Sequence, residues 1–371
     1  MNEFTLTLLE WFRENGRDLP WRETRDPYAI WLSEIILQQT QVKQGWAYWE
    51  RFMRRWPTVE QLAEASEDEV LREWQGLGYY SRARNLHQAA QQVVALGGFP
   101  NTIEGLRSLK GVGDYTAAAI GSFAFGLPAA VVDGNVFRVL SRHFGIDTPI
   151  NTTEGKKEFT MLAQSLLPPS TSHSSIESSL FPLPSSFFPL PSSLLYNQAI
   201  MDFGATQCTP SSPHCLLCPL QETCVALREG RVGMLPVKLK TLKVRERHLT
   251  YVYVRCQGFT AIHRRGEGDI WQGLYEPLLM EEGKTLLIEN GKLKIENWAA
   301  QNNLPSSLFP LQLLAKQVKH VLTHRILLAD FYLWEPAERP SLPPDYFWIE
   351  EAELDRYAKP RLIERLLESL I

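Results

Sequence analysis

Apolar and polar positions follow two different rhythms along the chain, and the change falls near residue 248. Up to about residue 230, apolar side chains recur at helical spacing, as in Ile30, Trp31, Ile35 and Leu37. Helix-start signals accompany them. Asp26-Pro27 puts a capping acid before a proline at the first helical position, and Ser66-Glu67-Asp68-Glu69 has the spacing of a capping box. Thr116 to Phe125, rich in small residues, predicts a helix that packs closely on its neighbours. Beyond 248, Leu249–Cys256 and Ile326–Trp334 are β-branched and aromatic, as strands are, and Leu354–Leu370 reads as helical again. The pattern predicts a mainly α domain over 1–230 and a separate α+β domain over 248–371.

Two stretches fit neither rhythm. Residues 231–247 carry Arg231, Lys238, Lys240, Lys243, Arg245 and Arg247 against the single acid Glu246. They are expected to be a basic linker, either a solvated tether or one that also tracks phosphates. Residues 178–195 repeat a seven-residue unit (SSLFPLP, SSFFPLP, SSLL), echoed as SSLFPL at 306–311. Proline at that density opposes regular helix or strand, so 168–195 is expected to be a disordered insertion without a catalytic role. Its phenylalanines leave partner binding as the alternative.

Composition narrows the class. Apolar residues make up 44% of the 371, enough for full cores. The formal net charge of −4 means that a nucleic-acid partner would need a locally basic surface. No apolar run approaches membrane-spanning length, and Met1-Asn2-Glu3-Phe4 does not begin a secretory signal, so an intracellular protein away from membranes is expected. Four of the five cysteines, Cys208, Cys215, Cys218 and Cys224, fall within seventeen residues. In a reducing compartment that favours metal ligation over disulfides, and four thiolates can hold zinc or a [4Fe–4S] cluster. Cys256 stands apart in a strand-like run and reads as a buried thiol.

Three further features carry candidate chemistry. In Leu109-Lys110-Gly111-Val112-Gly113-Asp114-Tyr115-Thr116, Gly111 and Gly113 form a tight turn before a helix, where backbone amides can approach a phosphate. Glu34 is the single carboxylate of Trp31–Gln41. It is a solvated helical acid unless its face is buried, in which case desolvation keeps it protonated near neutrality and able to donate a proton to a leaving group. Asp133 precedes Gly134-Asn135-Val136 as a good helix N-cap, and the helix dipole favours its ionised form, which suits a cationic sugar beside it.

The turn, spanning 105–125 with its flanking helices, resembles the helix-hairpin-helix motif of DNA-repair enzymes, and the cysteine spacing resembles the [4Fe–4S] loop (208–224) of the endonuclease III superfamily. Trp31-Leu32-Ser33-Glu34, Leu37-Gln38-Gln39-Thr40-Gln41, Gly76–Asn85 and Asp133-Gly134-Asn135-Val136 complete a resemblance to the adenine DNA glycosylases of the MutY family. The resemblance implies a helix-hairpin-helix glycosylase domain, a [4Fe–4S] cofactor and a Nudix-like C-terminal domain. The implied partner is double-stranded DNA with adenine opposite 8-oxoguanine or guanine, and a monomer is expected. It implies that Glu34 protonates adenine and that Asp133 stabilises the oxocarbenium-like sugar, two carboxylates flanking a cationic sugar as in glycoside hydrolysis. Arg22 and Asn135 match residues near the adenine and the attacking water, and Gln39 and Tyr79 match residues that occupy or wedge the opened duplex. Leu37, Gly111 and Gly113 join the DNA- or base-binding set. Core packing is the alternative for Tyr79.

Two departures matter. Bifunctional relatives carry a Schiff-base lysine where this chain has Tyr115, which cannot form the imine, so base removal without efficient strand cleavage is expected. The lesion-reading loop of the family commonly reads Phe-Ser-His; the aligned residues here are Leu322, Thr323 and His324, which keep a hydroxyl and the histidine and lose the aromatic ring. Trp271–Glu276 matches a family segment of the C-terminal domain, and the paired glutamates of Nudix hydrolases are missing, so pyrophosphate cleavage is not expected.

Overall fold

The computed structural model describes residues 1–169, 192–239, 244–281 and 311–370. By contact density the chain forms two compact units, residues 1–63 with 88–240 and residues 64–87 with 241–371.

The first unit is helical. Its helices are α1 (Glu3–Asn15), α2 (Pro27–Ile36), α3 (Val42–Arg55), α4 (Val59–Glu64), most of α6 (Ser81–Ala95), α7 (Ile103–Ser108), α8 (Asp114–Phe125), α9 (Gly134–Phe144), α10 (Thr153–Leu166), α11 (Ser192–Asp202) and α12 (Val225–Arg228). Side-chain caps fix several starts: Asn2, Asp26, Thr102, Asp133 and Thr152 each accept from a first-turn amide. Helix α8 differs, with Gly113 at its N-cap and no side chain bonded there. The small residues of α8 do what their size predicts: Ala117, Ala119 and Ile120 are fully buried, and Ala118, Ala119 and Phe123 pack with Ile30 of α2, Val131 and Leu194.

That last contact corrects the insertion's boundary. Residues 192–195 were expected to be disordered, yet they open α11, where Leu194 is buried. Burial against α2 and α8 outweighs the serine-rich local sequence. The repeat over 178–191 and its echo at 306–310 lie outside the described residues, as do Lys240 and Lys243.

The second unit is built on a mixed sheet. Its strands among the described residues are β1 (Arg245–Cys256), β2 (Phe259–Arg264), β3 (Tyr275–Glu276), β4 (Leu278–Glu281), β5 (Gln312–Val321), β6 (Arg325–Trp334) and β7 (Tyr346–Glu350). The order is β3-β2-β1-β6-β5, with β4 on β1 and β7 on β2; β1 and β6 run parallel and the other pairs antiparallel. One face packs Tyr251, Tyr253, Phe331 and Leu333 against α13 (Arg361–Glu368) through Leu362, Ile363 and Leu366. The helix expected from Leu354 starts only at Arg361, because a short 3-10 turn (Glu351–Arg356) ends before Tyr357 and Pro360 resets the chain. This unit also holds α5 (Glu67–Glu73), whose Ser66–Glu69 capping box is present in both directions.

The basic linker needs a second correction. Arg245, Glu246 and Arg247 belong to β1, paired with Arg325, Ile326 and Leu327. Arg247 forms a two-pronged ion pair with Asp269, and Arg231 pairs with Glu229. These two cations are engaged within the protein rather than spread along a tether.

Candidate active site

Glu34 lies in the last turn of α2, where every residue from Tyr28 to Ile36 is buried, and is itself only 6% exposed. The solvated-face alternative is thereby excluded. Tyr115, in the first turn of α8, donates its hydroxyl to Glu34 Oε2 at 2.6 Å. Burial pushes the Glu34 carboxyl up to about 7. The Tyr115 hydrogen bond opposes this, the nearby charge of Asp133 adds to it, and the Arg22 guanidinium opposes it. The Tyr115 bond occupies Oε2.

Asp133 caps α9. Its Oδ1 accepts from the amides of Asn135 (2.9 Å) and Val136 (2.8 Å), and its Oδ2 accepts from the Asn135 side chain at 2.7 Å. Burial nevertheless raises its carboxyl above the ordinary aspartate value, against these hydrogen bonds and the charge of Arg138. The dipole expectation for Asp133 is therefore only half of the balance. Asp133 accepts three hydrogen bonds against one at Glu34, and negative charge on Asp133 raises the Glu34 carboxyl further.

A second layer fixes this pair. Arg138 of α9 donates to Asn135 Oδ1 at 2.8 Å, to the carbonyl of Gly204 at 2.6 Å and to that of Cys208 at 2.7 Å. Gly204 has no room for a larger residue, since an added Cβ would come within 2.6 Å of Asn135 Cβ and 2.9 Å of its carbonyl oxygen. Arg22, in the 3-10 turn Pro20–Arg22, is held by Asp202 at the end of α11. Neither Asp202 nor Gly204 stands in a motif that pointed to chemistry. The signal that existed was an aspartate and a glycine ahead of the cysteine loop.

The other expected residues fall as follows. Gly111 adopts φ +76°, the left-handed region that only glycine occupies at little cost, while Gly113 is extended at the N-cap; both are exposed. Leu37 is half-buried, its side chain lying against Gly45 of α3. Gln39 is exposed with φ +56°. In the second unit Tyr79 is 47% exposed with φ +47°, so it is not a core residue. Arg82 braces its loop, lying over the Trp74 and Tyr79 rings and donating to the carbonyls of Leu77 and Gly78. The Tyr79 hydroxyl is 2.6 Å from Thr323 Oγ1, in the turn between β5 and β6. Leu322 closes that turn by donating its amide to the Arg325 carbonyl and is half-buried; Thr323 and His324 are exposed.

The four clustered thiols are unbridged and partly buried. Burial pushes Cys218 up to about 11, against a backbone amide donor, and negative charge on Cys208, Cys215 or Cys224 pushes it further. Arg142 Nη1 lies 3.4 Å from Cys208 Sγ. Thiols that oppose one another's ionisation, yet receive amide and guanidinium donors, fit a shared cationic group that would neutralise them. Among the described residues no set of three or more His, Cys, Asp or Glu side chains converges closely enough to hold a single metal ion.

Comparisons with known proteins bear on the fold and the family. Residues 32–169 match the family described as HhH-GPD superfamily base excision DNA repair protein, and residues 250–369 match the NUDIX domain. The adenine DNA glycosylase of Rattus norvegicus is 42% identical over 247 residues, covering 63% of this chain and 44% of that protein. That of Buchnera aphidicola subsp. Baizongia pistaciae is 30% identical over 329 residues, covering 87% and 84%. The match spans less than half the length of the mammalian and plant relatives. A solved thermostable thymine-DNA glycosylase superposes with a TM-score of 0.52 at 30% identity, over 61% of this chain and 95% of its own. With similarity running through both the helical and the Nudix parts, the chain belongs to the adenine DNA glycosylase family.

Proposed function

We propose that this chain is a monofunctional glycosylase that hydrolyses the N-glycosidic bond of adenine opposite 8-oxoguanine or guanine in duplex DNA. The observation that carries the reading is the buried Glu34 carboxyl, raised to about 7 and bonded to a tyrosine where an amine nucleophile would otherwise stand. Once adenine is out of the stack, the Glu34 O–H transfers its proton to N7. The C1′–N9 bond then breaks with its electron pair leaving on the base. The Asp133 carboxylate faces the oxocarbenium-like sugar, a water adds to C1′, and the proton lost by that water returns to Glu34. Asn135, Arg22 and Leu37 line the base and water side, and the amides after Gly111 and Gly113 receive a backbone phosphate.

Gln39 and Tyr79 enter the opened duplex, and Thr323 with His324 and Leu322 reads the base opposite adenine. Left-handed backbone at exposed Gln39 and Tyr79 supports this assignment, because such strain is retained where a side chain must be presented. Cys208, Cys215, Cys218 and Cys224 would hold a [4Fe–4S] cluster, whose contribution is to shape the loop they span. The helical part, 1–230, serves base removal and the sheet-bearing part, from β1 at Arg245 onward, serves lesion reading, with a monomer as the working unit inside the cell.

The test is a duplex with one adenine opposite 8-oxoguanine. Cleavage at the adenine only after alkali, with no covalent adduct on borohydride treatment, is expected. Cleavage without alkali would point instead to a lyase, and none under either condition would overturn the proposal. Iron by elemental analysis and a brown chromophore in the purified protein are expected for the cluster; zinc would refute it.

A further inference from the structure

The strongest unexplained feature of the helical unit is Asp202. Its side chain is fully buried, yet it carries a charge that burial alone would remove. It is kept ionised by five donors. Arg17 gives its backbone amide to Oδ2 at 2.9 Å and its guanidinium to Oδ1 at 2.9 and 2.5 Å; Arg22 gives Nη1 to Oδ2 at 2.9 Å and Nη2 to Oδ1 at 2.7 Å. Arg22 Nη1 also donates to the Arg17 carbonyl at 2.9 Å, and its guanidinium lies 5.7 Å from the centre of the Phe12 ring. The planar fork of Arg22 is thus pinned on one edge, leaving Nε and one Nη2 proton without a partner among the described residues.

We infer that Asp202 is a positioning residue for catalysis, holding the Arg22 guanidinium away from direct pairing with Glu34 so that Glu34 stays a proton donor. This rests on the assignment of Glu34 as the acid. The charged and titratable groups that act on Glu34 are Tyr115 from α8, Asp133 from the start of α9 and Arg22 from the 3-10 turn. Arg22 is the one cation among them, and it already acts to lower the Glu34 pKa. A guanidinium freed from Asp202 has Glu34 as a competing carboxylate, and a direct ion pair would fix Glu34 as the anion, useless as an acid. Sequence separation explains why no motif shows this: Arg22 and Asp202 are 180 residues apart.

The experiment is the pH profile of single-turnover adenine release by the full chain, for wild type, Asp202→Asn, and Asp202→Asn combined with Arg22→Gln. The protonated acid is the active form, so the rate falls as pH rises through the Glu34 value of about 7. In Asp202→Asn that falling limb moves to lower pH. A shift of about one unit makes the variant roughly tenfold slower at about pH 8 while leaving it near wild type at about pH 5.5. The double variant, which lacks the released cation, returns the limb to the wild-type pH or above, whatever its maximal rate. A merely structural defect would lower the rate equally at every pH, and that result, or an unmoved limb, overturns the inference. If Asp202→Asn does not fold, Arg17→Met decides the matter: with Asp202 left to Arg22 alone the limb stays or moves up, and a downward move overturns the inference. Glu34→Gln separates the two claims. Wild-type turnover there removes the underlying acid assignment, whereas an inactive Glu34→Gln beside an unshifted Asp202→Asn removes only the role of Asp202.

Discussion

Replacing Tyr115 by phenylalanine deletes one hydroxyl and, with it, the 2.6 Å bond to Glu34 Oε2. A hydrogen bond to an ionised partner contributes about 1.5–3 kcal/mol, and one between neutral groups about 1 kcal/mol. The hydroxyl therefore favours the Glu34 anion over the neutral acid by roughly 0.5–2 kcal/mol, equivalent to about 0.5–1.5 pH units. Glu34, already raised to about 7 by burial, moves further up in the variant. The sign of the stability effect follows from linkage. A carboxyl whose folded pKa exceeds its unfolded value stabilises the fold at acid pH, and this is lost as pH rises from about 4.3 toward the folded value. In Tyr115→Phe the loss continues to higher pH. Urea unfolding should then show a destabilisation of about 1 kcal/mol at about pH 5.5, growing to about 1.5–3 kcal/mol at about pH 9. The alkaline limb of single-turnover adenine release should move up by the same 0.5–1.5 units, roughly. A destabilisation identical at both pH values, or a limb that stays in place, would show that Tyr115 does not govern the protonation of Glu34.

Glu34→Gln keeps the shape of the site but has no acid proton to give, so single-turnover excision should fall at least about 100-fold while gel-shift affinity for the mismatched duplex is retained. Gly204→Ala places a methyl within 2.6 Å of Asn135 Cβ; it should cost about 1–3 kcal/mol in thermal unfolding and slow excision without weakening duplex binding, and an unchanged rate would mean that the start of α9 tolerates displacement. Thr323→Val removes the hydroxyl that meets Tyr79. The ratio of excision opposite 8-oxoguanine to excision opposite guanine should fall, and a ratio equal to that of the wild type would separate this turn from lesion reading.

What the sequence made legible in this molecule was local. Asp26-Pro27, Ser66–Glu69 and Asp133 act over two or three residues, and each caps the helix it was expected to cap. The hairpin glycines and the strand cores of β1 and β6 are also written in short windows. The sequence pattern misled where a distant contact overruled a local signal. Ser192 to Leu195 has the composition of the preceding repeat, yet Leu194 is buried against α2 and α8. Arg247 has the charge of a linker but an acid, Asp269, waiting 22 residues away. The same distinction runs through the active site. Glu34, Tyr115 and Asp133 could be named from motifs, whereas Asp202 and Gly204 could not, because their value lies in contacts with residues far away in the chain. Glu34 in a helix is by itself an ordinary carboxylate near 4.3, roughly, and almost wholly ionised at neutral pH. Burial raises its pKa, and one tyrosine, one aspartate and one arginine adjust it, so its acidity belongs to the packing of α2, α8 and α9 rather than to any one motif.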